Sequence, residues 1–207
     1  MNPLHRLLIL FCLSTLTACS LTPTPEPVST YKLTPESNKP LSENQTVLNL
    51  SLRINKPNAS GYLATSRLVV MTQDQQLSVY KGAQWHEATP LMIRNQLLDS
   101  FRQANLVAFV SSDDKQLVAQ VELDSDLREF QTQYHNGKAQ VSIILVVRLV
   151  NPQQKRILAS RTFSEQLEAR SAELPDVVSA FSRAQNQLSQ SVITWTQQTL
   201  STTLATP

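Results

Sequence analysis

The sequence predicts an α+β fold, in which a largely antiparallel sheet with two main helices packed on it makes a single domain. Three observations lead to this prediction. Asn136-Gly137, the favoured pair of a two-residue hairpin turn, separates two runs of alternating apolar residues. Thr89-Pro90 precedes apolar residues at helical spacing, and Pro175-Asp176 precedes a longer apolar stripe at steps of three and four.

The first half of the chain predicts short strands. Residues 47–54 alternate and place four apolar side chains on one face, namely Leu48, Leu50, Leu52 and Ile54. Residues 66–81 predict a hairpin that turns at Asp74-Gln75. Gly82 is expected to end its second strand, which would leave Trp85 in a loop.

A helix and a short strand follow. The hydroxyl of Thr89 is expected at the N-cap, with Pro90 at the first helical position, where its missing N–H is harmless. This helix should end near Asn105, and residues 107–110 predict a short apolar strand.

The second half of the chain predicts three long strands and a long helix. Residues 117–123 alternate up to the hairpin, and a change of parity before the turn indicates a bulge near residues 125–129. After the turn, alternate residues from 141 to 149 are apolar, and Ile144 and Val146 make the other face apolar too, which is typical of a strand covered on both sides. Residues 156–167 predict the third strand, and the long helix begins at Pro175.

The N-terminus has the features of an export signal. His5 and Arg6 supply a short positive region, and residues 7–16 form an apolar run of about 15 Å as a helix, half the thickness of a bilayer core. Leu16-Thr17-Ala18-Cys19 looks like a bacterial lipobox, in which the cysteine sulfur receives a diacylglyceryl group. An ordinary signal peptidase requires a small residue where Leu16 stands. A chance cysteine near an ordinary cleavage site is the alternative.

Lipidation at Cys19 predicts how the mature chain is arranged. Residues 1–18 would be the signal peptide, and the diacylglyceryl and N-acyl chains would anchor the protein durably, since one acyl chain alone binds only marginally. Residues 19–30 carry the lipidated cysteine and alternating prolines, and predict a semi-rigid tether of roughly 30–35 Å. Residues 31–204 are then the folded domain. Ser20, where lipoproteins kept in the inner membrane carry Asp, implies the periplasmic face of the outer membrane.

Composition excludes several classes of protein. Removal of the signal takes one of the 18 Lys and Arg residues, so 17 remain against 16 Asp and Glu and the charge is about +1. This scattered, near-neutral charge predicts no nucleic-acid partner. The 3 glycines do not form a phosphate-binding loop. Because Cys12 leaves with the signal and Cys19 is acylated, neither a nucleophilic thiol nor a disulfide is expected.

Residues with catalytic or metal-binding chemistry form no recognised constellation. His86 and His135 are expected to be solvated loop residues, with a metal ligand or a general base as the alternative. Glu122, Asp124 and Asp126 share one face of a strand, which suits a hard cation. Since Arg148 lies on the neighbouring strand, cross-strand ion pairs on a solvated face are the favoured interpretation. No enzymatic activity, metal or cofactor is predicted.

Four residues are candidates for binding a partner protein. Aromatic and apolar side chains cluster around irregular backbone at Tyr62, Leu63, Tyr80 and Trp85. One interpretation is that they fill the core beneath a loop. The other is that they anchor a partner, since Trp and Tyr dominate such sites.

The chain resembles the ABC-type transport auxiliary lipoprotein family, the PqiC-like proteins. The resemblance rests on the lipobox, on Tyr31-Lys32-Leu33, and on an ordered block from Leu68 to Leu97. The most distinctive part of that block is Trp85, followed by Pro90-Leu91 and Arg94-Asn95.

The resemblance implies a non-enzymatic subunit of an intermembrane lipid transport system. An MCE-domain protein, which forms a conduit across the periplasm, is then the expected partner, and a homo-oligomer of this chain is a further expectation. The first hypothesis is a docking subunit at the outer membrane. The second is a periplasmic carrier that holds an acyl chain between sheet and helices, and the third is a periplasmic enzyme. The partner and the lipid cargo come from the resemblance alone.

Overall fold

Strands of one sheet and two long helices make up the computed structural model, which describes residues 27–35, 47–115 and 117–205. The predicted signal peptide, Cys19 and most of the predicted tether lie outside the described residues. The strands are β1 (Ser29–Tyr31), β2 (Leu48–Ile54), β3 (Arg67–Met71), β4 (Leu77–Trp85), β5 (Val107–Ser112), β6 (Val121–His135), β7 (Lys138–Asn151) and β8 (Arg156–Glu168). The helices are α1 (Thr89–Ala104) and α2 (Leu174–Ala205), with short 3₁₀ helices at Gly61–Ala64 and Asp113–Lys115.

Strand β6 is the centre of the sheet. One of its edges pairs with β7, which in turn pairs with β8. Its other edge is shared by two strands, since β2 pairs with the start of β6 at Val121 and β3 pairs with its end at Gln131. Between them, Asn58 forms an isolated bridge with Asp126. The sheet therefore branches from β6 into β2-β5 and β3-β4-β1.

The fold is α+β with two main helices, as predicted, but the sheet is mixed and the prediction of a largely antiparallel sheet is wrong. The pairs β3-β4, β6-β7 and β7-β8 are antiparallel hairpins. The pairs β1-β4, β2-β5, β2-β6 and β3-β6 are parallel. The two strands of a parallel pair are joined by a long connection, so no short turn motif in the sequence indicates that they pair.

The hairpin turn at Asn136-Gly137, the bulge before it and the end of α1 have the backbone that the sequence predicts. Asn136 and Gly137 both have positive φ angles, 51° and 78°, as a two-residue hairpin of this type requires. The register of β6 against β7 shifts between Leu127 and Glu129, where the bulge was expected. Asn105 ends α1 in the left-handed conformation. The N-cap of α1 is Ala88 and not Thr89, because the Thr89 hydroxyl instead donates to the Thr65 carbonyl at 3.0 Å.

Strand β4 does not stop at Gly82, as the sequence suggested. It continues to Trp85. Its pairing with β3 shifts register on the way, because Val69 pairs with Val79 whereas Arg67, only two residues before Val69, pairs with Gln84, five residues after Val79. The extra residues of β4 form a bulge, and Gly82 takes a φ of +67° there, a conformation that side chains with a Cβ rarely adopt. Trp85 is consequently a strand residue, and the expectation of a loop is wrong.

Two further expectations differ from the structure. The strand predicted over residues 117–123 begins only at Val121, and Leu117 and Val118 are 56% and 84% exposed. The second face of β7 is not fully covered, because Ile144 and Val146 are only half-buried. That face is the outer side of the sheet, away from the helices.

The core lies between the inner face of the sheet and the helices. The predicted apolar stripe of α2 is buried there, including Phe181, Ala184, Leu188 and Val192 at 0–1% exposure. Helix α2 also buries Gln185 and Ser189, which hydrogen-bond to each other across one turn. Among the described residues, neither helix has an apolar stretch sufficient to cross a membrane.

Candidate docking site

The 3₁₀ helix Gly61–Ala64 holds two of the four candidate residues. Both the backbone N–H and the hydroxyl of Thr65 donate to the Tyr62 carbonyl, at 3.2 and 2.8 Å. The Thr65 carbonyl in turn accepts from the backbone N–H of Thr89, which fixes the 3₁₀ helix to the start of α1. Tyr62 is 46% exposed, whereas Leu63 is half-buried against the core. Tyr62 therefore offers an aromatic ring on a well-anchored turn.

Tyr80 lies at the start of the β4 bulge and is half-buried. Its hydroxyl is 2.8 Å from the hydroxyl of Tyr134 on β6, so each phenol is a hydrogen-bond partner of the other. Burial, together with the hydrogen bond to Tyr134, raises the pKa of Tyr80 well above its usual range. The phenol is therefore neutral at physiological pH and joins β4 to the central strand β6.

Trp85 fills the core and does not face a partner. Its side chain is 1% exposed, and its ring centroid lies 5.7 Å from that of Phe130 and 5.4 Å from that of Phe181. Both pairs are edge-to-face, and the two phenylalanines stack on each other at 4.7 Å. For Trp85 the structure therefore agrees with the core interpretation. Of the four candidates only Tyr62 is exposed, and the structure does not bring them together as one surface.

The carboxylates on the outer face of β6 are held by cations and amides. Glu122 binds the Arg53 guanidinium and the Asn55 amide, and the same amide binds Asp124. Arg148 donates to Asp126 at 2.8 Å, and this bond lowers the pKa of Asp126. These contacts agree with the predicted cross-strand pairs. In the described ranges, no group of three His, Cys, Asp or Glu residues is arranged to hold a metal ion.

The two histidines lie at the surface. His86 is 3.2 Å from Glu87, with its side chain 44% exposed. His135 is at the tip of the β6–β7 hairpin, 3.4 Å from the Gln133 side chain. It lines an open cleft of about 750 Å³ between the two hairpin tips, whose other walls are largely uncharged polar residues. Within the described residues, neither histidine belongs to a metal-binding group.

The sequence did not single out an exposed apolar surface beside the edge strand β5. We call it the β5 surface and define it by Val47, Phe109, Leu117 and Val118, which are 40%, 68%, 56% and 84% exposed. Phe109 pairs in register with Ser51, and the Leu117 carbonyl accepts a hydrogen bond from Arg53 at 2.9 Å. No sequence signal indicates this surface, because residues 107–110 are all apolar, and the register that places Val110 beside Leu52 and Phe109 beside Ser51 is seen only in the structure.

The family of the chain follows from a family model that describes the ABC-type transport auxiliary lipoprotein component. It matches residues 31–193, from β1 into α2. The chain belongs to this family. The resemblance found in the sequence is thereby confirmed, and transport auxiliary lipoproteins are not a class of enzymes.

Solved structures share the fold of this transport auxiliary lipoprotein. A crystal structure from Xanthomonas campestris matches with a TM-score of 0.80 at 23% identity, covering 86% of this chain and 100% of its own. A second, titled only as an uncharacterized protein, matches with a TM-score of 0.60 at 18% identity, covering 81% and 97%. PelC from Paraburkholderia phytofirmans, a dodecamer, has a TM-score of 0.42 at 10% identity over 71% and 91%, too distant to support an argument about assembly. No curated protein matches the chain.

Proposed function

We propose that this lipoprotein is the outer-membrane docking subunit of an MCE-type, ABC-associated system for intermembrane lipid transport. Acyl chains on Cys19 hold it in the inner leaflet of the outer membrane. Residues 19–30 act as the tether, and the domain at residues 31–204 binds the MCE-domain conduit, with more than one copy of this chain in the assembly. The observation that carries the proposal is the family match over residues 31–193.

The arrangement of polar groups supports docking over catalysis. The carboxylates of β6 are engaged by Arg53, Asn55 and Arg148, so they are not free to act as an acid and a base. The two histidines lie apart from these carboxylates at the surface, His86 beside Glu87 and His135 beside Gln133. Binding through a surface therefore accounts for the domain better than a reaction does.

The filled core supports docking over lipid carriage. An acyl chain held between sheet and helices needs an apolar channel. The rings of Trp85, Phe130 and Phe181 occupy that layer at centroid distances of 4.7–5.7 Å, each ring 1% exposed. A carrier would have to displace these rings, which native packing resists.

Co-purification tests the docking role. The full chain, tagged at its C-terminus, is extracted from its own cell envelope in mild detergent, and bound proteins are identified by mass spectrometry. We expect the MCE-domain protein with the wild-type chain. Recovery of the folded, lipidated chain without any MCE-domain protein would refute the docking role. Native mass spectrometry of a Cys19→Ser version checks the carrier, which requires a bound phospholipid.

Lipidation is tested separately. Radiolabelled palmitate should label the wild-type chain and not the Cys19→Ser variant, because the sulfur is the attachment atom. On a density gradient of separated membranes, we expect the wild type with the outer membrane and a Ser20→Asp variant with the inner membrane. Equal labelling of wild type and Cys19→Ser would contradict the anchor.

A further inference from the structure

We infer that the β5 surface binds an extended, apolar segment of a partner protein, which adds as a new strand to the open edge of β5. The inference rests on the proposed function, because it names where and how the conduit protein is held. It differs from the sequence analysis, which named Tyr62, Leu63, Tyr80 and Trp85 as candidates for partner binding, with core filling as the other interpretation.

The second edge of β5 carries no strand among residues 27–35, 47–115 and 117–205. There, β5 pairs with β2 on one side only, over Val107 to Ser112. The backbone N–H and C=O groups on its other side are therefore not paired with any strand that the structure describes. An exposed row of such groups is a template for one more strand.

Exposed apolar side chains lie beside this edge on the outer face of the sheet. Phe109 pairs with Ser51, and the next pair along the strands is Val110 with Leu52, whose side chain is buried in the core. Since successive side chains of a strand point to opposite faces, Phe109 points to the outer face. The connection from β5 to β6 passes across the outer face of β2, where the Leu117 carbonyl accepts from Arg53. It thereby brings Leu117 and Val118 to the same face as Phe109. A strand that pairs with β5 would place alternate side chains beside Phe109.

The other long edge of the sheet is protected against such pairing. On β8, Glu165 and Arg161 stand opposite Ile143 and Val147, whose side chains point into the core. Inward-pointing charges of this kind discourage a further strand, because adding one would bury them. Strand β5, with the sequence VAFVSS, has no charged residue. The contrast favours β5 as the edge that accepts a partner.

The chemistry of the β5 surface specifies an uncharged, apolar occupant. The neighbours of this surface in strand register and sequence, Asn49, Ser51, Ala108 and Gln120, carry no charge. Arg53 is bound to Glu122, and beyond the end of β5 the exposed Asp114 and Lys115 carry one charge of each sign. In the part of the chain that the structure describes, the β5 surface therefore has no cluster of charge of one sign that would select an anionic lipid or an acidic or basic peptide.

The β5 surface is separated from the point where the tether joins the domain. The described chain enters at β1, which pairs with β4 beside the part of the sheet that adjoins Gln131. The β5 surface lies at the level of Val121, and the stretch of β6 between those two residues is roughly 30 Å long at about 3.3 Å per residue. A protein bound at β5 would therefore not compete with the tether for space.

Photo-crosslinking in intact cells tests the occupant. A photoreactive phenylalanine analogue replaces Phe109 in the full-length lipoprotein, and as a matched control it replaces Ile157, which is 56% exposed at the protected β8 edge. We expect an adduct with the MCE-domain protein from position 109 and none from position 157. An adduct from position 109 with a second copy of this chain, or with lipid alone, would overturn the inference.

Two further measurements test the binding mode. Phe109→Arg should lower the yield of co-purified MCE-domain protein by about 30-fold, the effect of losing an interface hot spot, while Ile157→Arg leaves the yield unchanged. Hydrogen exchange should show slower exchange of β5 amides, but not of β8 amides, in the wild-type complex. An unchanged yield with Phe109→Arg, or unprotected β5 amides, would refute the strand while leaving the docking role intact. If the wild type itself recovers no MCE-domain protein, the proposed function fails and the inference with it.

Discussion

Replacement of Trp85 by alanine measures whether this residue belongs to the core or to a partner surface. The indole is 1% exposed and makes edge-to-face contacts with Phe130 and Phe181 at 5.7 and 5.4 Å. Truncation of a buried aromatic residue to alanine costs about 3–5 kcal/mol, and each aromatic pair contributes about 0.5–1.5 kcal/mol beyond burial. These terms place the expected loss toward the upper end of that range.

One feature of Trp85 works in the opposite direction. Its buried indole N–H has no hydrogen-bond partner among the residues that the structure describes. An unsatisfied buried donor costs about 1–3 kcal/mol, and alanine removes that cost. We therefore expect Trp85→Ala to lower the free energy of unfolding by about 2–4 kcal/mol. Trp85→Phe, which keeps an aromatic ring and removes the N–H, should lower it by roughly 1 kcal/mol.

Urea unfolding of the processed Cys19→Ser version, followed by far-ultraviolet circular dichroism, gives these values. Fluorescence is unsuitable because Trp195 also reports. Tyr62→Ala is the matched control, since Tyr62 is 46% exposed and should cost less than about 1 kcal/mol. A loss below about 1 kcal/mol for Trp85→Ala, with an unchanged slope against urea, would refute the core assignment.

Two ionisable groups predict opposite pH dependences of stability. The Arg148 hydrogen bond lowers the pKa of Asp126, so the unfolded state takes up the proton first as the pH falls below about 4, and the stability that the pair contributes is lost there. Asp126→Asn should therefore flatten the decline of the unfolding midpoint between pH 5 and pH 2, and an unchanged decline would contradict the pairing. Burial raises the pKa of Glu165, so the folded state keeps its proton to a higher pH and stability falls as the pH rises through that pKa. Glu165→Gln should raise the midpoint at pH 7 and lose its advantage below about pH 4; no gain at pH 7 would show that the carboxylate is solvated.

Local signals predicted the parts of the fold that neighbouring residues determine. The Asn136-Gly137 turn, the bulge before it and the apolar stripe of α2 depend on backbone preference and on periodicity within a few residues. The parallel pairing of β2 and β3 with β6 depends on contacts between segments far apart in the chain. Nothing in the alternation of residues 47–54 says whether the neighbouring strand runs in the same or the opposite direction, so the mixed sheet was missed.

The candidate site shows a second limit of reasoning from sequence. In the sequence, Gly82 predicts the end of a strand. A glycine also permits the positive φ of a bulge, however, and β4 continues through Gly82 to Trp85, which is buried. Conversely, Phe109 belongs to the predicted short apolar strand of residues 107–110, and it is exposed on β5, the last strand of its branch. Burial at both positions is decided by strand order, which the sequence alone does not give.

The branching of the sheet explains how a small domain offers an open edge without losing its core. Because β2 and β3 share one edge of β6, each branch ends in its own edge strand, β5 or β1, while β7 and β8 complete the layer under α2. The β5 edge is then remote from the Trp85, Phe130 and Phe181 cluster, which lies where β4, β6 and α2 meet. A partner strand can therefore bind or leave at β5 without disturbing those rings, and this separation lets Trp85→Ala and Phe109→Arg report independently on stability and on docking.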